Sequence, residues 1–329
     1  MVLNIVLTIF IVFSFAELIF AKKKETSSAI TISDTYAFRG ISILFIVMHH
    51  ICQRVSAHNI IQIPFLNYVY LFVAAFFFFS GYGNYLSLKK QPRFAIKWLL
   101  KRICNLLFFF LIGLLINVTV NNSIYENGKQ YLFDLITLTY RPYTLWFFKV
   151  IFITYFITFI LQLTVHVNRG GRMVISMFIL SALYIILCVL FKIPSYWWNS
   201  IIGYSIGCLF AEFKDTIKVK RSFILLFVIF FIITSIIKIK IRSLEVFSAA
   251  LFCVLIALYF FNYTFRTNKF INCVGKISLG MYLYHTLLLT AFKPVFNQWY
   301  TVPSILVISF VVSLLVDLIY KKTIGRLFS

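Results

Sequence analysis

The amino-acid sequence predicts an all-α fold, a polytopic integral membrane bundle of about 10–11 transmembrane helices. Three observations carry that expectation. Hydrophobic residues fill 62% of 329 positions and charged residues only 12%, with a mean hydropathy of +0.95, a balance of the membrane class rather than of soluble proteins. Apolar segments near the ~20-residue bilayer-crossing length recur along the chain, whereas a barrel would alternate instead. Lys and Arg gather in the short links between those segments, which is how the cytoplasmic loops of membrane proteins are marked.

In chain order, residues 2–21 are apolar apart from Asn4 and Glu17 and are followed by Lys22, Lys23 and Lys24. A signal peptide carries its basic residues on the other side, so a retained helix with its N-terminus outside is expected. Ser33 and Asp34 are N-cap candidates for a helix reaching about Arg54. That helix places Arg39 near the cytoplasmic face and His50 in the outer half. A loop with Pro64 leads to a span at 67–88, and then to the densest basic region, Lys89, Lys90, Arg93, Lys97, Lys101 and Arg102. With Lys97 and Lys101 one turn apart, a basic amphipathic surface helix is expected before a span at 103–120. Two readings of this cluster stay open: a topogenic signal touching anionic lipid, or a site for a phosphorylated cofactor. Residues 121–143 read as the longest polar loop, and further spans as 144–165, 173–191, 197–213, 222–238, 244–262, 271–292 and 303–320. Lys238, Lys240 and Arg242 fit the charge rule poorly, since this threading puts them outside. The C-terminus, after Lys321 and Lys322, is expected in the cytoplasm.

The most informative stretch is Phe38 to His50, where Arg39, His49 and His50 stand in an otherwise apolar run. Ionisable groups cost about 2.5–3.5 kcal/mol at membrane depth, so they usually face the protein interior or water and mark function. Eleven residues at about 100° each bring His50 within roughly 20° of Arg39's face and about 16 Å along the axis, while His49 lies about 80° away. Arg39 and His50 therefore share a stripe. The net charge of +22 is distributed among the links rather than over one surface, which tells against nucleic acid. Cys52, Cys104, Cys188, Cys208, Cys253 and Cys273 are scattered singly, without metal-ligand or disulfide spacing, so packing is expected and no metal.

From Phe38-Arg39-Gly40 to His50, with ten residues between arginine and histidine, the chain resembles the acyltransferase type 3 family of integral membrane O-acyltransferases. Phe77-Phe78-Phe79-Ser80-Gly81-Tyr82 is similar to that family's Phe-rich Ser-Gly stretch, and Lys97, Lys101 and Arg102 fall at its basic cytoplasmic motif. Leu145-Trp146-Phe147-Phe148 matches its Leu-Trp-Phe element, and Gly275-Lys276-Ile277-Ser278 through Tyr282-Leu283-Tyr284-His285 its late segment. The likeness covers about residues 30–322, with residues 1–24 as an additional helix and the whole chain, 1–329, treated as one membrane domain. Two departures stand out: Tyr36 occupies the position of an acid often found three residues before the arginine, and the basic motif is Lys-rich, with Asn105 after it.

The resemblance implies transfer of an acyl group, commonly acetyl, from cytoplasmic acyl-coenzyme A to a hydroxyl of a cell-envelope polysaccharide or lipid-linked glycan at the plasma membrane. His50 is then the candidate base, and Arg39 holds an anionic group of the coenzyme or orients its thioester. Lys97, Lys101 and Arg102 attract its phosphates, and His285 is a second acid-base group or an interhelical hydrogen bond. Ser80 and Gly81 read as helix packing, and His49, His58 and His166 as packing or loop residues. Transfer would be direct or relayed through a separate extracytoplasmic transferase. Two rivals remain at this level, a flippase for a lipid-linked saccharide, which should show paired Gly/Pro-interrupted helices, and an inactive export partner.

Overall fold

A computed structural model describes residues 2–24, 29–55, 59–120, 128–138, 145–217, 221–265, 269–296, 298 and 300–328. Among them run thirteen α-helices: α1 (Val2–Ile19), α2 (Ile32–Cys52), α3 (Ile63–Lys90), α4 (Ala95–Val120), α5 (Gly128–Thr137), α6 (Trp146–Thr164), α7 (Gly170–Leu190), α8 (Ile202–Glu212), α9 (Arg221–Ile237), α10 (Glu245–Asn262), α11 (Lys269–Lys276), α12 (Ser278–Ala291) and α13 (Thr301–Lys322). Seven of these, α2, α3, α4, α6, α7, α10 and α13, are long and apolar enough to cross a membrane, and α1 and α9 contain shorter apolar segments. A short ladder pairs β1 (Lys22–Lys23) antiparallel with β2 (Tyr263–Thr264), Lys22 opposite Thr264.

The centre is α3, a helix apolar on every side, which packs against α2, α8 and α10. Small residues let α8 lie directly on it: a Cβ on Gly81 would strike the Tyr204 carbonyl, and one on Gly207 the Phe78 carbonyl. The same device seats α11 on α2, where Gly40 meets the Ile271 carbonyl and Gly275 the Tyr36 carbonyl. Phe38 gathers the rings of Phe72, Phe79, Phe252, Phe260 and Phe265 at centroid distances of 5.7–6.5 Å. Outward faces are apolar as well, for example Ile175, Ile179, Leu183, Ile186 and Leu190 along one side of α7, as lipid contact requires. All six cysteines are free thiols, four of them buried.

Several local expectations are corrected. The N-cap of α2 is Thr31, not Ser33 or Asp34; Asp34 is the third helical residue and closes a capping box with Thr31. Asp34 is also buried and accepts from Lys24 Nζ at 2.9 Å and from Thr264 Oγ1 at 2.5 Å. Lys24, expected as a topogenic charge, thus ties the β1 segment to α2 and further donates to the Phe260 carbonyl at 2.6 Å. The separate basic surface helix does not form. Lys97 and Lys101 belong to the first turns of the continuous α4, because nothing between Ala95 and Ile103 breaks the helix and Ala95, Trp98 and Leu99 already pack inward.

The polar loop contains α5, whose Asp134 is buried while Leu132, Phe133 and Ile136 are exposed; residues 121–127 and 139–144 lie outside the described residues, as does His58. The expected span 197–213 reduces to α8, eleven residues or about 16 Å long, enclosed by α3, α7 and α10. The expected span 271–292 is broken at Ile277 into α11 and α12. Lys238, awkward for the charge rule, is buried: it donates to the Asn67 carbonyl, lies over the rings of Tyr68 and Tyr70 at 4.6 and 4.3 Å, and has Glu245 at 4.0 Å.

Candidate active site

The capping box starts α2 in a fixed register, and five residues after Asp34 that register turns Arg39 toward the interior. Its Nη2 donates to Ser278 Oγ at 2.9 Å, its guanidinium lies 5.6 Å from the Phe76 ring centroid, and its Nε has no partner. Ser278 is fully buried and is the first residue of α12, so the break at Ile277 delivers the hydroxyl that holds Arg39. No carboxylate pairs with Arg39 among the described residues, since Asp34 is committed to Lys24.

Arg39 lines a cavity of about 640 Å³. Its lining includes basic side chains from four other helices: Lys90 of α3, Lys101 and Arg102 of α4, Lys276 of α11 and Lys321 of α13. Ile46, Phe147, Tyr155 and Tyr282 line it as well. Of the three basic residues singled out from sequence, Lys101 and Arg102 therefore reach the cavity, while Lys97 is exposed and outside its lining. Sequence reasoning missed Lys90, Lys276 and Lys321. Lys90 and Lys321 sat in basic runs that orientation alone explains, but Lys276 stood inside the Gly-Lys-Ile-Ser motif and carried a usable signal. Tyr36, the departure from the acidic position, also lines the cavity and presents its ring to Lys276 Nζ at 5.6 Å. Lys321 is held by Asp317, one turn before it, at 2.5 Å. Ser80, expected to serve packing, lines the cavity beside Gly81, which does pack.

The histidines form a second centre. His50 and His285 face each other across α2 and α12 with ring centroids 5.3 Å apart. His285 Nδ1 donates to the Met281 carbonyl at 2.8 Å within its own helix, which leaves Nε2 as an unprotonated, buried acceptor without a partner. Among the described residues its ring makes no hydrogen bond to another helix. His50 Nδ1 donates to Gln53 Oε1 at 3.0 Å, so the lone pair of its Nε2 is the basic site. His49 turns the other way and donates through Nδ1 to the Phe65 carbonyl at 2.8 Å, as a packing residue would. His166 occupies the turn after α6 with a φ of 63°.

A smaller pocket of about 110 Å³ carries His50 together with Gln53, Arg54, Trp146 and Thr286. Tyr282 lines both this pocket and the large cavity. One tyrosine is therefore common to the cation-lined cavity and the pocket that holds His50, and the Phe147 ring lies 5.1 Å from it. Arg39 lines the large cavity and His50 the small pocket. Chemically, one chamber suits an extended anion and the other a proton acceptor next to a hydroxyl.

No curated protein and no solved structure matches the chain. The sequence model of the family described as an acyltransferase domain does match it, over residues 36–320, a span that begins three residues before Arg39 and ends just past Asp317. With most of its length matched, from the arginine of α2 through the histidine of α12 to the end of α13, the chain belongs to the acyltransferase type 3 family of membrane acyltransferases.

Proposed function

We propose that the protein moves an acyl group, commonly acetyl, from cytoplasmic acyl-coenzyme A to a hydroxyl of a cell-envelope polysaccharide or lipid-linked glycan. The observation that carries this reading is that Tyr282 lines both cavities, the larger one rich in lysine and arginine and the smaller one holding His50. The coenzyme's phosphates face Lys90, Lys101, Arg102, Lys276 and Lys321, and Arg39 steadies an anionic or carbonyl group further in. The pantetheine arm then spans the roughly 16 Å that separate Arg39 from His50 along α2. The charge asymmetry supports an outside N-terminus and a cytoplasmic C-terminus in the plasma membrane.

In the reaction, the acceptor hydroxyl oxygen attacks the thioester carbonyl while His50 Nε2 takes its proton. The tetrahedral intermediate collapses with cleavage of the carbon–sulfur bond. His50 returns the proton to the leaving sulfur, which yields the ester and the free thiol and restores neutral imidazole. Gln53 keeps His50 in the tautomer this needs, by accepting from Nδ1. His285 Nε2, without a partner at 5.3 Å ring separation, is positioned to accept from the hydroxyl or from His50 during the transfer. The acyl group reaches the glycan directly or through a separate extracytoplasmic transferase.

The test compares purified wild type with His50→Ala and His49→Ala, using radiolabelled acetyl-coenzyme A and envelope polysaccharide as acceptor. Loss of His50 should lower transfer by about 10²- to 10⁴-fold while coenzyme binding persists, and loss of His49 should leave substantial activity. Survival of acylation without His50, with loss when His49 is removed, overturns the assignment.

A further inference from the structure

Beside the His50 pocket lies an aromatic surface that the reaction as described does not use. Trp146, which lines the pocket, has the Tyr196 ring at 5.7 Å and tilted by 58°, and Tyr196 in turn has the Trp197 ring at 6.5 Å and tilted by 32°. Tyr196 and Trp197 belong to the segment between α7 and α8, which the order of helices brings to the end of the bundle where α2 finishes and α6 begins. Tyr196 is 47% exposed. Donors rim the shelf: Lys149 Nζ lies 6.0 Å from the Trp197 ring, and Gln53 and Arg54 share the pocket with Trp146.

We infer that the shelf formed by Trp146, Tyr196 and Trp197 is the subsite that seats a sugar ring of the glycan acceptor. The inference rests on the acyl-transfer reading above and adds the residues that hold the acceptor. Aromatic faces carry a negative quadrupole, which attracts the slightly positive C–H face of a pyranose, while its hydroxyls need hydrogen-bonding groups at the edge. A lipid chain needs the aromatic faces alone; a sugar needs both, and both are here. The anionic donor belongs at the opposite end, where the cations are denser. Continuity through Trp146 brings a ring stacked on the shelf next to His50 Nε2, where one of its hydroxyls is deprotonated.

The experiment uses full-length protein in nanodiscs, acetyl-coenzyme A, and base-deacylated envelope polysaccharide from the native host. Acceptor KM, donor KM and coenzyme release without acceptor are measured for wild type, Tyr196→Ala and Tyr196→Phe. The expected result is an acceptor KM raised about fivefold or more in Tyr196→Ala, an unchanged donor KM, unchanged acceptor-free coenzyme release, and near-wild-type values for Tyr196→Phe. Exposure of Tyr196 means its truncation opens no core cavity, and the phenylalanine variant controls for folding. An unchanged acceptor KM in Tyr196→Ala overturns the inference and makes the shelf an interfacial aromatic belt. If wild type itself acylates none of this polysaccharide, the underlying reading of the acceptor fails first, and the shelf assignment falls with it.

Discussion

Replacing Ser278 by Ala tests whether the break between α11 and α12 exists to hold Arg39. The guanidinium has one side-chain hydrogen-bond partner among the described residues, Ser278 Oγ at 2.9 Å, and its Nε already has none. A hydrogen bond to a charged group is worth about 1.5–3 kcal/mol, which corresponds to about 10- to 150-fold in kcat/KM if Arg39 must be fixed for transfer. The cation–π contact with Phe76 at 5.6 Å remains, so the lower half of that range is expected. Steady-state acyl transfer in nanodiscs gives the number, with thermal unfolding alongside to separate activity from folding. A cycle with Arg39→Lys sharpens the test, because lysine keeps the charge but loses the planar fork. If Ser278 acts only through Arg39, the double variant should be little worse than Arg39→Lys alone. Additive losses, or a Ser278→Ala kcat/KM within about twofold of wild type, would refute the reasoning.

Three further outcomes are expected. Neutralising Lys101, Arg102 and Lys276 together should raise the donor KM about tenfold, three screened contacts of roughly 0.5 kcal/mol each, while Lys97→Ala alone changes it less than about twofold; donor titration at two salt concentrations checks both. Asp34→Ala should destabilise the fold by about 3–5 kcal/mol, because it leaves Lys24 buried against carbonyls alone and opens the capping box, with Asp34→Asn milder; denaturant unfolding in detergent measures it. Reporter fusions at the two termini should report an outside N-terminus and a cytoplasmic C-terminus, and a same-side result would mean a span count off by an odd number and a new assignment of Arg39 and His50 to their leaflets.

The helical membrane class and most of the apolar segments were legible in the chain by itself, and so was the expectation that Arg39 and His50 share one face of α2. Hydropathy and the 100° step are local properties, and a ten-residue gap on a straight helix needs no tertiary information. The same arithmetic puts His49 about 80° round from that face. What the tertiary structure alone decided is which cations converge. Lys97 and Lys101 look alike in sequence and lie on nearly the same face of α4, yet a rise of about 6 Å along the helix brings Lys101 to the cavity and leaves Lys97 outside its lining. Lys90, Lys276 and Lys321 come from three different helices and meet only because those helices pack around α2 and α4. Likewise, the mainly apolar stretches 197–213 and 271–292 read as full spans in sequence but fold as the eleven-residue α8 and the broken α11–α12 pair. Hydropathy measures how apolar a segment is, whereas enclosure by glycine-mediated contacts with α3 and α2 depends on backbones far apart in the chain.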